Sequence, residues 1–84
     1  MIKVLYFASL RERLGTGTEE LDLPRGVTDL GGLAAFLAQR GGVWKEVLGS
    51  GETVMMALNQ ETASASDPLA DRDEVAFFPP VTGG

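Results

Sequence analysis

Leu30, Leu33, Ala34 and Leu37 recur at the i, i+3, i+4 and i+7 spacing of a single helix face. No other segment carries so long a stripe, and the spacing predicts one main helix over residues 29–40. Thr28 is its expected N-cap, Asp29 suits the positive end of its dipole, and Gly41-Gly42 supplies the stop. Gly31 and Gly32 weaken the first turns by about 1 kcal/mol each relative to alanine. Close approach to a sheet and plain tolerance of glycine both account for them. A lone amphipathic helix must bury its stripe against something. In a chain of 84 residues that partner is one sheet around one modest core.

The remaining apolar segments supply the sheet. Residues 2–7 are β-branched and aromatic and read as a buried strand. In residues 18–23, Leu21 and Leu23 share one face while Glu20 and Asp22 share the other, the period of a strand with one wet side. The turn Pro24-Arg25-Gly26 closes it. Residues 54–58 are apolar on both faces, as in a strand inside a sheet. Residues 74–78 form the last strand. Between these lie a short helical segment over residues 8–14, stopped by Gly15, and a short apolar turn over residues 43–48 with Trp44 in the core. Asn59-Gln60 and Asp71-Arg72-Asp73 read as turns, and residues 62–68 as a connecting loop.

The order is β-β-α-β-β, with the first and last strands apolar enough to lie central and adjacent. That describes an α+β fold: a mixed four- to five-stranded sheet with one main helix packed on it, the ubiquitin-like β-grasp. Periodicity alone also admits other α+β sandwiches. The expected division is a β-grasp domain over residues 1–78 and a flexible tail over residues 79–84.

Composition narrows the chemistry. A net charge of −5 argues against nucleic-acid binding, which needs clustered Lys and Arg, and steers the chain toward basic partners. There is no cysteine for a disulfide, a thiolate nucleophile or a Cys-based metal site, and no histidine for a general base. No apolar run approaches the ~20 residues needed to span a bilayer, and a cytoplasmic location is the default expectation. Phosphate-loop and dinucleotide motifs are missing. Gly15-Thr16-Gly17 and Gly49-Ser50-Gly51 read as loops. Glu61, Asp67, Asp71, Asp73 and Glu74 read as solvated charge in turns rather than a metal cluster.

What remains is the end of the chain. With Val75 and Phe77 turned inward, Phe78 faces out, and beside Val81 it makes an apolar patch of the kind partners use. The alternative is that Phe78 folds back onto the edge of the domain. Pro79-Pro80 cannot extend a ladder and favour an extended, stiff segment. Residues 79–84 then reach at most about 20 Å. Gly83-Gly84 has no Cβ, so its backbone can enter a narrow site and its terminal carboxylate stays open. A frayed end is the competing reading.

Residues 4–15, 56–61 and 69–84 together resemble the small, sulfur-carrier subunit of molybdopterin synthase, among the ubiquitin-like sulfur carriers. The first segment reads Val4-Leu5-Tyr6-Phe7-Ala8-Ser9-Leu10-Arg11-Glu12-Arg13-Leu14-Gly15 and the last ends Phe77-Phe78-Pro79-Pro80-Val81-Thr82-Gly83-Gly84. Leu58 and Arg72 depart from frequent choices in the family and touch no reactive position. The resemblance implies a cycle in which an E1-like enzyme adenylates Gly84 with ATP and Mg²⁺. A persulfide donor then converts the adenylate to a thiocarboxylate, which gives sulfur to cyclic pyranopterin monophosphate in the large subunit. It implies that Gly83 threads the channel and that Phe78, Pro80, Val81 and Arg11 touch partners. It also implies a heterotetramer of two small and two large subunits, a chain that is not an enzyme on its own, and no cofactor held by it. The same terminal chemistry serves carriers for other pathways such as thiazole formation, and protein modifiers joined to a lysine through Gly84. A plain interaction module is the remaining alternative.

Overall fold

A computed structural model describes residues 1–49 and 54–80. Among these residues the strands are β1 (Ile2–Tyr6), β2 (Thr18–Leu21), β3 (Met55–Leu58), β4 (Glu61–Ala63) and β5 (Glu74–Phe78). They form a five-stranded sheet of order β2-β1-β5-β3-β4, with β5 in the middle and β1 beside it. β1 and β5 pair in parallel, with Val4 opposite Val75 and Tyr6 opposite Phe77; all other neighbours are antiparallel. The first and last strands are therefore central and adjacent, as their apolar content predicts, and the sheet is the mixed sheet of an α+β β-grasp.

Ile2, Val4, Tyr6, Val75 and Phe77 face the helical layer and are buried. Against them pack Leu30, Leu33 and Leu37 of α2 (Leu30–Ala38), Val47 of α3 (Val43–Leu48) and Leu10 of α1 (Ala8–Leu14). The predicted stripe of α2 is the buried one. Its N-cap is Asp29, not Thr28: the Asp29 Oδ1 accepts the Gly32 N–H at 2.7 Å. The Thr28 carbonyl is instead engaged by the Leu69 N–H at 3.0 Å. At the other end, Gln39, Arg40 and Gly41 donate to carbonyls three residues back, so the last turn tightens and regular helix stops two residues earlier than expected. Gly15, at φ +76°, ends α1 as predicted.

Two other expectations change. Residues 61–63, expected as turn and loop, form the edge strand β4. Asn59 and Gln60 both take positive φ (50° and 71°), the two-residue turn that folds β4 back along β3. Gly31 admits a close neighbour, but that neighbour is a loop rather than the sheet. Its N–H donates to the Ala65 carbonyl at 2.8 Å, and a Cβ there would lie 3.1 Å from the Ala65 Cβ.

A partly exposed ion pair borders one corner of the core. Glu19 of edge strand β2 receives both guanidinium nitrogens of Arg40, at 2.6 and 3.1 Å, and Arg40 lies 4.4 Å from the centre of the Trp44 ring. The hydrogen bond to Glu19 raises the Arg40 pKa beyond its ordinary value. Trp44 meets the Tyr6 ring edge-on at 5.4 Å, and Phe77 stacks with Tyr6 at 6.1 Å. The aromatic assignment of Trp44 to the core holds.

Candidate functional site

The sheet has a second face that no helix among the described residues covers. Because side chains alternate along a strand, burial of Ile2, Val4 and Tyr6 places Lys3 and Leu5 on the opposite side, and Phe7 continues that row. Burial of Val75 and Phe77 does the same for Glu74, Ala76 and Phe78. The parallel register sets Leu5 beside Ala76, and the antiparallel register sets Ala57 beside Ala76 and Met55 beside Phe78. The result is a shallow groove of about 360 Å³ walled by Leu5, Phe7, Ala57, Ala76 and Phe78, with Gln60 and Glu74 as its polar lining.

Phe7 is the most open part of this wall, 47% exposed. Its N–H still donates to the Phe77 carbonyl at 3.1 Å, so the sheet continues one residue past β1. A solvent-facing aromatic beside a second, half-buried one is an expensive arrangement in water and a suitable anchor for a protein partner. Phe78 lies in this groove rather than folded over the domain edge. Pro79 and Pro80 follow it outside the ladder, Pro79 partly buried and Pro80 exposed.

The expected site residues are thus distributed unevenly. Phe78 lines the groove and Pro80 stands just beyond it. Arg11 is exposed on α1, its stem against Gly17, and is not part of the groove wall. Val81, Gly83 and Gly84 lie outside the described residues. Phe7 and Leu5 were not singled out by the sequence reading. The parity argument that turned Phe78 outward applies equally to β1 and would have found them.

Three of the acidic residues, Asp67, Asp71 and Asp73, have structural partners. Asp67 accepts the Ser64 N–H at 2.7 Å, and Asp73 accepts the Ala70 N–H at 2.9 Å and the Asn59 amide at 3.1 Å. Asp71 pairs with the Met1 amine, a hydrogen bond that lowers its pKa. Among the described residues no group of three or more metal-ligating side chains exists, and no helix is long and apolar enough to cross a membrane. A larger concavity of about 710 Å³ lies between α2 and α3, floored by Ala34, Ala35, Ala38 and Gly49 with Lys45 beside them. It belongs to the helical layer, whereas the groove on the open face is continuous with β5 and so with the end of the chain.

Comparison with known proteins gives the family and the fold. Residues 4–84 match the ThiS family. The molybdopterin synthase sulfur carrier subunit of Escherichia coli K12 is 44% identical over 86 residues, with all of both chains covered. A chain in the protein–protein complex of subunits 1 and 2 of the molybdopterin-converting factor from Helicobacter pylori 26695 superimposes with a TM-score of 0.65 at 28% identity, covering 99% of this chain and 97% of that one. The small archaeal modifier protein 1 of H. volcanii gives a TM-score of 0.77 at 27% identity, covering 95% and 97%. The chain belongs to the ThiS family, together with the molybdopterin synthase sulfur carrier subunits that it matches from end to end.

Proposed function

We propose that this chain is the sulfur-carrier subunit of a molybdopterin synthase and that it carries sulfur as a thiocarboxylate on Gly84. The observation that carries the reading is the continuity of groove and tail. Phe78 is both the last residue of β5 and a wall of the apolar groove, so a partner seated on the open face holds the base of the tail. Residues 79–84 then extend at most about 20 Å from that anchor, enough to bring Gly84 into a neighbour's active site. Full-length similarity to named sulfur carrier subunits supports the pathway, and the Helicobacter pylori complex supports a large-subunit partner.

The chemistry assigns the catalytic work to the partners. A carboxylate is a poor electrophile, so an E1-like activating enzyme joins Gly84 to AMP, consuming ATP with Mg²⁺ and releasing pyrophosphate. The persulfide of a sulfur donor attacks the activated carbonyl and AMP leaves. A thiol then cleaves the S–S bond, and the sulfur remains on the Gly84 carbonyl carbon. In the large subunit that sulfur passes to cyclic pyranopterin monophosphate to build the dithiolene. Gly83 lets the chain enter a narrow channel, while Phe78, Pro80 and Val81 supply contacts and Arg11 contributes from α1. Two small and two large subunits make up the proposed assembly, working in the cytoplasm where ATP is supplied. The chain itself holds no cofactor in this scheme.

Reconstitution tests the pathway. Thiocarboxylated chain, large subunit and pterin precursor together are expected to yield molybdopterin, and a chain lacking Gly84 is expected to yield none while folding normally. Failure of the thiocarboxylated chain to support synthesis contradicts the reading. A second reading, conjugation of Gly84 to lysines of other proteins, is favoured by the similarity to the archaeal modifier protein. It predicts covalent ladders on target proteins instead.

A further inference from the structure

Glu74, expected among solvated turn charges, opens β5, the central strand of the sheet. Asn59 holds both of its backbone groups. The Glu74 carbonyl accepts the Asn59 N–H at 2.8 Å, and the Glu74 N–H donates to the Asn59 Oδ1 at 3.0 Å. This pair continues the β3–β5 register one step beyond Leu58 and Val75, with a side-chain oxygen as one of the two acceptors. The start of the strand is fixed in this way, and with it the direction of the Glu74 side chain onto the open face.

The carboxylates of Asp67, Asp71 and Asp73 are engaged, but that of Glu74 accepts no hydrogen bond from a described residue. It is nonetheless half-buried and lines the apolar groove. Lys3 is its neighbour across the β1–β5 pair, and Glu20 flanks Lys3 on the other side, in β2. A single ammonium thus stands between two carboxylates, and neither pair closes to a salt bridge. A partner that covers the groove takes water away from the Glu74 carboxylate. Burial of a carboxylate without a compensating charge is strongly unfavourable, so the partner has to bring a cation to this point.

We propose that Glu74 is a specificity-determining residue of the open face: on docking, its carboxylate receives a cationic side chain of the large synthase subunit, while Leu5, Ala76 and Phe78 take that partner's apolar surface. The inference rests on the proposed docking at this face and deepens it by naming the chemistry the partner presents. Glu74 and Phe78 are four residues apart on one strand, about 13 Å at roughly 3.3 Å per residue. The partner's cation and its apolar anchor are set apart by that distance. An apolar surface without the cation is rejected, because it leaves the carboxylate desolvated and unpaired.

Calorimetric titration with the large synthase subunit of the same organism, at low and moderate salt, tests this on the full chain and on Glu74→Gln, Glu20→Gln, Lys3→Gln and Phe78→Ala. Glu74→Gln keeps the shape and removes the charge. It is expected to bind about tenfold more weakly and with a shallower salt dependence than the parent, its thermal midpoint retained. Glu20→Gln, in the same charge row but outside the groove lining, is expected to bind as the parent does. Lys3→Gln is expected to bind as tightly as the parent or more so, since Lys3 competes with the incoming cation. Parent-like affinity of Glu74→Gln, or an equal loss in Glu20→Gln, overturns the role of Glu74. A loss in Lys3→Gln shows that Lys3 itself compensates Glu74 in the complex, and overturns it too. If Phe78→Ala binds as the parent does, the docking face itself is wrong; if Phe78→Ala binds weakly while Glu74→Gln is unchanged, only the role of Glu74 falls.

Discussion

Tyr6 is the one tyrosine of the chain, and its hydroxyl is buried with no hydrogen-bond partner among the described residues. Burial pushes its pKa well above the ordinary value of 10.0, the Glu19 charge adds to the rise, and Arg40 opposes it. Removing an unsatisfied buried hydroxyl while keeping the ring recovers its desolvation cost, so Tyr6→Phe is expected to raise stability by about 1 kcal/mol at neutral pH, read from chemical denaturation. The alkaline behaviour follows from the same shift. Below pH 10 the phenol is protonated in both folded and unfolded chains and contributes no pH dependence. Above the unfolded value, the unfolded chain releases a proton that the folded one retains, so stability falls as pH rises. That alkaline fall is expected in the parent and to be weakened in Tyr6→Phe; an identical profile in both would contradict it. The tyrosine was placed in a buried strand by its neighbours, but its missing partner was not legible, because the fate of a hydroxyl depends on side chains brought from β2 and α2.

At the scale of elements, the strands and helices that bury the most apolar surface were the most legible. The stripe Leu30, Leu33 and Leu37, the inward Val75 and Phe77, and the Gly15 stop are all as their spacing predicts. Local competition decided the rest. Thr28 and Asp29 are both good caps, and the tertiary bond from the Leu69 N–H to the Thr28 carbonyl accompanies the selection of Asp29. Strand β4 has too few residues to show alternation, and its turn uses Asn59-Gln60 rather than a glycine-containing pair. Gly31 shows how an element's position constrains one residue. A valine there would drive its Cβ toward the Ala65 carbonyl, 3.2 Å away, at the point where that carbonyl accepts the Gly31 N–H. Gly31→Val is expected to cost about 1–3 kcal/mol by overpacking, measured as a lower denaturation midpoint, despite valine's better helix propensity than glycine. A midpoint at or above the parent's would show that the 62–68 loop yields freely.

For the whole molecule, the division of labour is between one covered and one open face of the same sheet. The covered face supplies the core; the open face ends in Phe7 and Phe78 and leads into the tail. The outward turn of Phe78 was legible from the alternation in the last strand, whereas the extent of the open face around it was not, since it needs β1, β5 and β3 in register. The charge of −5 bears on how partners are found rather than how tightly they are held. Association with a basic partner surface is expected to slow by about threefold or more between low salt and roughly 0.5 M salt, read by stopped-flow mixing, with dissociation changing less. A salt-independent on-rate would remove charge steering from the account. The proposed sulfur chemistry sits on the last carbon of the chain and is read by intact mass after incubation with the activating enzyme, ATP, Mg²⁺ and a persulfide donor. A gain equal to replacing one oxygen by sulfur is expected, and none when Gly84 is deleted. An unchanged mass in the full chain, with the activating enzyme shown to be active, would overturn the carrier role.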